Sequence, residues 1–166
     1  VMVKKITQLP QQKVFVVLHN VRSVYNVASI FRTADCLGVS QILLVGYTPA
    51  PIDRFGRPRK DFAKTALGAE KTVAWEHFSR ISEALRFLKR GRVFTVAIEQ
   101  ASEAVDYRKI KPRYPIAFIF GNEVTGIPRK VLLKCDAVAE IPMRGAKESL
   151  NVSVAVGIAL AKILNR

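Results

Sequence analysis

Short runs of consecutive apolar residues recur along the chain, each closed by polar or glycine-containing residues. Residues 13–20 (KVFVVLHN), 41–46 (QILLVG), 92–99 (RVFTVAIE) and 115–121 (PIAFIFG) are too short for buried helices and too continuous for half-exposed strands. They predict strands covered on both faces, as in parallel sheets. Between them the period changes. In residues 26–38 (NVASIFRTADCLG), Val27, Ile30, Phe31, Ala34 and Leu37 fall at helical spacing, and Gly38 closes the run. Residues 79–91 (SRISEALRFLKRG) predict a helix with Ser79 as cap and Gly91 as stop. Residues 127–135 (IPRKVLLKC) predict another with Pro128 in its first turn. Residues 66–75 (ALGAEKTVAW) suggest a short turn or helix end followed by a strand, and residues 137–142 and a terminal helix over 149–164 close the chain. Strands alternating with helices predict an α/β fold with a mostly parallel sheet flanked by helices. No repeat or composition break divides the chain, so one domain over residues 1–166 is expected.

A length of 166 residues suffices to bury roughly 70% of the unfolded surface without disulfides. The 27 Lys and Arg outnumber 13 Asp and Glu, a net charge of +14. Such an excess is balanced by a polyanion, and with no basic amphipathic helix in the pattern, nucleic acid is favoured over a membrane. Residues 1–10 (VMVKKITQLP) lack the apolar core of a signal peptide, and the apolar stretch 150–164 is interrupted by Asn151, Ser153 and Lys162. A soluble cytoplasmic protein is expected. Cys36 and Cys135 have no partners at metal-ligand spacing, so reduced, buried, structural thiols and no metal are expected. Residues 47–62 (YTPAPIDRFGRPRKDF) interleave Arg54, Arg57, Arg59 and Lys60 with Tyr47 and Phe55. That mixture serves RNA phosphates and bases, and it equally describes a mobile solvated loop.

Ligands of open α/β sheets sit beyond the carboxyl ends of the strands, which directs attention to residues 19–26, 121–126 and 142–149. No G-x-G-x-x-G follows the first strand and no phosphate-binding G-x-x-x-x-G-K-[ST] occurs, which argues against dinucleotide enzymes and P-loop NTPases. With only His19 and His77, no Ser/His/Asp or Cys/His pair suggests itself. Gly121 and Gly126 permit close backbone approach or positive φ, although an unliganded turn would use them as well. Ser149 and Asn151 stand at the mouth of a helix apolar almost all round, with Ser153, Ala155, Gly157, Ala159 and Ala161 as small residues. Such a helix needs cover on more than one side, which the sheet and a second subunit could supply. Asn26 opens the first helix, and Arg32 lies opposite its apolar stripe, where an arginine is ordinarily just solvated.

Three segments carry a resemblance: NVRSVYNVASIFRTADCLGV (20–39), FIFGNEVTGI (118–127) and IPMRGAKESLNVSVAVGIAL (141–160). Together and in this order they resemble the three motifs of the SpoU/TrmH family of RNA ribose 2′-O-methyltransferases, within the SPOUT superfamily.

The resemblance implies a C-terminal deep trefoil knot in the α/β fold, S-adenosylmethionine bound in the knot, an active site at a homodimer interface, and tRNA or rRNA as substrate. It assigns cofactor contacts to Gly121, Ile141, Met143, Ser149 and Leu150, and catalysis to Asn26, Arg32, Glu123, Ser149 and Asn151. Residues matching a separate RNA-binding domain are not expected in this stretch. A guanidinium keeps its proton to a pH above about 12, so Arg32 suits a phosphate clamp and stabiliser of the incipient alkoxide better than a general base. Asn26 and Ser149 would orient it. The competing expectations are a non-catalytic RNA-binding or ribosome-assembly protein with the same fold, and a basic-surfaced enzyme acting on a small molecule.

Overall fold

The computed structural model describes residues 12–166; the segment 1–10, read above for targeting signals, lies outside the described residues. Seven strands form one sheet: β1 (Val14–His19), β2 (Gln41–Val45), β3 (Ala74–Phe78), β4 (Phe94–Ile98), β5 (Val105–Asp106), β6 (Ile116–Phe120) and β7 (Ala137–Glu140). Their order is β3-β2-β1-β6-β4-β7-β5, and every pairing is parallel. The late strands enter between earlier ones, β6 between β1 and β4, and β7 between β4 and β5.

The continuous apolar runs are explained by two cores. Along β1, Val14, Val16 and Leu18 join one cluster and Phe15 and Val17 the other; along β6, Ile116, Phe118 and Phe120 divide from Ala117 and Ile119 in the same way. Alternate side chains of a strand point to opposite faces, so a strand buried on both faces shows no polar alternation. The first face is covered by α1 (Val24–Cys36), α2 (Lys60–Ala66), α3 (Ala69–Thr72) and α6 (Val152–Leu164), and the second by α4 (Ile81–Arg90) and α5 (Arg129–Leu132). No helix among the described residues is long and apolar enough to cross a membrane.

Several expected boundaries shift for identifiable reasons. Helix α1 begins at Val24, two residues before Asn26, because the Ser23 hydroxyl caps it by accepting the Asn26 N–H at 3.2 Å. Arg80, not Ser79, precedes α4, and the Glu83 carboxylate satisfies the Arg80 N–H at 3.3 Å. The helix expected over 127–135 is the single turn α5, with Pro128 outside it as the cap residue. Asp136 explains the early stop: its N–H bonds the Thr95 carbonyl and hydroxyl, both at 3.0 Å, and its carboxylate accepts the Thr95 N–H and hydroxyl, drawing the chain into β7. The terminal helix starts at Val152, because Asn151 accepts the Ser153 N–H and takes the capping role that Ser149 could have filled.

Helix α2 was hidden within a charged run. Only Phe62 and Ala66 are buried there, with the Phe62 ring edge-on to Phe31 at 5.2 Å. The thiols also depart from expectation. Cys36 ends α1 on its exposed side, and Cys135 is only half-buried, its thiol pushed up to about 12 by burial and by the neighbouring Asp136. Within residues 47–62 the stretch 52–58 forms a closed turn, in which Ile52 bridges Pro58 and the Asp53 carboxylate holds Phe55 and Arg57, and Asp61, already in α2, pairs with Arg59. Arg54 and Arg57 flank the Phe55 ring at 4.7 and 5.0 Å.

Candidate active site

The loops after β4, β6 and β7 meet at the carboxyl ends of their strands around a cavity of about 340 Å³. Its wall includes Gly121, Ile141, Met143, Ser149 and Leu150, the five residues assigned above to the cofactor.

Two glycines make the loop after β6 possible. A Cβ at Gly121 would lie 2.5 Å from the Gly126 carbonyl carbon and 2.7 Å from its oxygen. Gly126 has φ +65°, and a Cβ there would stand 2.5 Å from a Glu99 carboxylate oxygen. Close approach at one position and positive φ at the other leave no room for a side chain. The Glu99 carboxylate accepts the Ile127 N–H at 2.7 Å and so fastens the loop to the end of β4. Inside the loop, buried Asn122 donates to the Asn20 carbonyl at 2.9 Å and the Tyr47 hydroxyl at 3.0 Å. It accepts the N–H groups of Val124 at 2.8 Å and Thr125 at 2.9 Å. Its amide capacity is thus fully used. Gly121→Ala must displace backbone, and S-adenosylmethionine affinity is expected to fall at least tenfold; calorimetry on the folded variant checks this, and unchanged affinity would refute the close-packed loop.

A shallow groove continues from the cavity past Asn26, Glu123, Ser149 and Asn151. Three of these form one hydrogen-bonded chain. The Asn26 amide donates to Glu123 Oε1 at 3.3 Å, and its oxygen accepts the Asn151 amide at 3.1 Å. Asn151 Oδ1 in turn accepts the Ser153 N–H at 2.9 Å and hydroxyl at 2.6 Å. Bonds between residues 97 and 125 positions apart thereby lock the start of α1 to the loop after β6 and to the start of α6. Glu123 also accepts the N–H groups of Arg22 at 3.0 Å and Ser23 at 3.3 Å, directly before α1. A carboxylate suits the positive end of a helix.

Partial burial pushes the Glu123 carboxyl up, but the donors from Arg22, Ser23 and Asn26 together outweigh it and hold the group below the usual carboxylate range. A depressed folded-state value contributes stability above the unfolded value, and that contribution is lost as pH falls through the folded one. Glu123→Gln is therefore expected to melt below wild type at neutral pH, with the gap closing as the solution is acidified below the carboxylate range. Melting curves across that interval check the sign; a gap that widens in acid would contradict it.

Ser149 is exposed and lines both cavity and groove. Arg32 stands apart: it is exposed on α1, lines neither, and has no ion-pair partner among the described residues. Six residues beyond Asn26 it is about 9 Å further along the helix axis and on another side of it. The chain alone does not bring it to the other four.

Sequence reasoning missed Glu99, Gln100, Asn122 and Glu148. Gln100 donates to the Glu148 carbonyl at 2.7 Å and ties the loop after β7 to the cavity rim. Glu99 and Gln100 directly follow a buried strand, a position that could have flagged them as readily as the loops that were singled out. The cavity wall carries three carboxylates, from Glu99, Glu123 and Glu148, and no Lys or Arg. Its chemistry favours a cationic ligand.

Residues 13–161 match the model of the SpoU rRNA Methylase family. A tRNA (guanosine(18)-2′-O)-methyltransferase of Thermus thermophilus is 35% identical over 159 residues, covering 95% of this chain and 77% of that protein. An AdoMet-bound rRNA methyltransferase from Sinorhizobium meliloti superposes with a TM-score of 0.82 at 30% identity, over 92% of this chain but only 56% of that one. A protein solved in a study of 2-OH methylation of C/U34 on tRNA gives a TM-score of 0.77 at 25% identity, covering 93% of this chain and 98% of its own. The glycine-closed loop after β6, the cavity it shares with the loop after β7, and a match that runs almost the length of the chain lead to one conclusion: the chain belongs to the SpoU rRNA Methylase family.

Proposed function

We propose that this chain transfers a methyl group from S-adenosylmethionine to a ribose 2′-hydroxyl of tRNA or rRNA. The observation that carries the reading is the cavity at the carboxyl ends of β4, β6 and β7, whose wall unites the five assigned cofactor residues with three carboxylates. S-adenosylmethionine supplies an electrophilic methyl on a sulfonium and also bears an ammonium; a wall of acids without a base is complementary to both charges. Ile98, Phe120, Ile141, Met143 and Leu150 give the same cavity apolar surface for the adenine ring and the methylenes of the amino-acid chain.

Transfer to a hydroxyl is an in-line displacement that requires alignment and removal of the hydroxyl proton. The hydrogen-bonded Glu123, Asn26 and Asn151 fix the floor of the groove beside the cavity, where a ribose would lie, and Ser149 borders both. Arg32 stabilises the developing alkoxide or clamps the adjacent phosphate. Since one chain holds Arg32 away from that groove, a second copy completes the site.

The homodimer is supported by apolar residues left uncovered where α1 and α6 lie together: Tyr25 is 66% exposed, Val154 47% and Ile158 36%. Ala159, small and on the same helix, is wholly buried within its own chain, so a charge there would test folding and not the interface. The insertion of β6 and β7 between strands laid down earlier, followed by the return of α6 onto α1, supports a C-terminal deep trefoil knot. Arg54 and the Phe55 ring project from the loop after β2, at the same end of the sheet as the cavity, and suit an approaching RNA strand. An RNA substrate and the exposed Cys36 thiol agree with a reducing, cytoplasmic setting.

Calorimetry with S-adenosylmethionine tests the cofactor assignment. Saturable binding without RNA, unchanged by a chelator, is expected; folded protein that gives no heat at high concentration would overturn it.

A further inference from the structure

A second, larger concavity lies at the other end of the sheet. A cleft of about 910 Å³ opens at the amino ends of β4 and β6, beside α4. Arg86, Lys89, Arg92, Arg113 and Lys134 line it, all exposed and none in an ion pair among the described residues. Its one acid, Asp136, is engaged by the N–H and hydroxyl of Thr95. Glu83, on the same helix as Arg86 and within reach of its charge, is already paired with Arg80.

The topology orders these charges. Lys13 directly precedes β1, Arg113 stands three residues before β6, Arg92 two before β4, and Lys134 three before β7. Those strands are consecutive in the sheet, β1-β6-β4-β7. Parallel strands lie about 4.8 Å apart, so the four cations form a row of about 14 Å along the amino edge, with Arg86 and Lys89 of α4 beside it. Phe94 and Tyr114 lie in the same cleft, and the Arg113 guanidinium sits 5.1 Å from the Phe94 ring centroid. A row of unpaired cations with rings between them matches a sugar-phosphate backbone and its bases.

We propose that this cleft is a second RNA-binding surface, which grips phosphates of the substrate RNA on the side of the sheet remote from methyl transfer. The proposal rests on the RNA reading above and extends it. The acidic cofactor cavity repels a polyanion, so the attraction needed to hold one must come from elsewhere on the molecule. Gly121 follows Pro115 by six positions along β6, so cleft and cavity are about 20 Å apart. An RNA touching both is larger than the nucleotide being modified and its immediate neighbours, and recognition by the cleft is by backbone and shape.

The test compares wild type with Arg113→Gln/Lys134→Gln and, separately, Arg86→Gln/Lys89→Gln, using unfractionated tRNA across a salt series. Each pair is expected to lower the slope of log K against log salt by about two, roughly one for each phosphate no longer neutralised. Cofactor affinity, melting temperature and the transfer rate at saturating RNA should stay unchanged. Cross-linking of wild type to 4-thiouridine-labelled RNA should label peptides spanning 86–92 or 113–115, a readout that needs no variant. Unaltered slopes, with cross-links confined to the carboxyl end, overturn the proposal while leaving the methyltransferase reading intact. Weakened RNA binding by variants of a protein that transfers no methyl would sustain the cleft and overturn the reaction. A wild type that binds no RNA overturns both.

Discussion

Arg32→Ala is expected to lower single-turnover methyl transfer by about 10²–10³-fold at saturating RNA while leaving S-adenosylmethionine affinity unchanged. The magnitude is that of removing one charge-assisted hydrogen bond aimed at an oxygen that becomes negative in the transition state. The separation of rate from affinity follows from position: Arg32 is not among the residues that line the cavity. Arg54→Ala offers the contrast. Its guanidinium has no ion-pair partner among the described residues, so its loss should flatten the salt dependence of RNA affinity by about one unit and be rescued by concentration. If Arg32→Ala transfers methyl at the wild-type rate once RNA saturates, Arg32 is only a solvated helix residue.

Val154→Glu with Ile158→Glu is expected to convert a dimer to monomers and to abolish transfer, though each chain keeps its fold. Both side chains are partly exposed on α6, at positions whose neighbours Val156, Ala159 and Leu160 hold the helix to its own core. Burying two carboxylates in an apolar interface costs several kcal/mol per charge, enough to dissociate a typical dimer. Sedimentation of both proteins, with melting curves as the check on folding, reads the result. A wild type that transfers methyl as a monomer would show that the site is complete within one chain, and a variant that stays dimeric and active would show that the interface lies elsewhere.

The fold was largely legible because burial on both faces leaves a plain mark, as in 14–19 and 116–120, where no polar residue interrupts until the strand ends. Helix α1 was legible for the opposite reason, its apolar residues recurring at helical spacing against a polar side. Where tertiary contacts decide, the pattern was silent: α2 rests on two apolar residues in a charged run, and α5 stops because Asp136 binds Thr95, forty-one positions away. The two-residue β5 is too short to show any period. Within the site, Gly121 and Gly126 could be singled out but not explained, since the atoms that exclude a side chain at Gly121 belong to Gly126 and Ile127, and those that exclude one at Gly126 belong to Glu99. Asn26 and Asn151, 125 positions apart, meet only because β6 and β7 insert between earlier strands and α6 returns to α1. The cleft beside α4 was invisible for the same reason, because its cations are scattered from Arg86 to Lys134 and become a row only in the order of the sheet.

The central claim is methyl transfer to a ribose hydroxyl, and the most direct measurement follows the methyl group. Purified protein is incubated with S-adenosylmethionine carrying a labelled methyl and with total RNA from cells lacking the gene; the RNA is then digested to nucleosides and resolved by mass spectrometry. The expected result is label in a 2′-O-methylnucleoside, with the mass increment on the sugar fragment. Label on a base, or none in RNA from a protein that binds the cofactor, would contradict it.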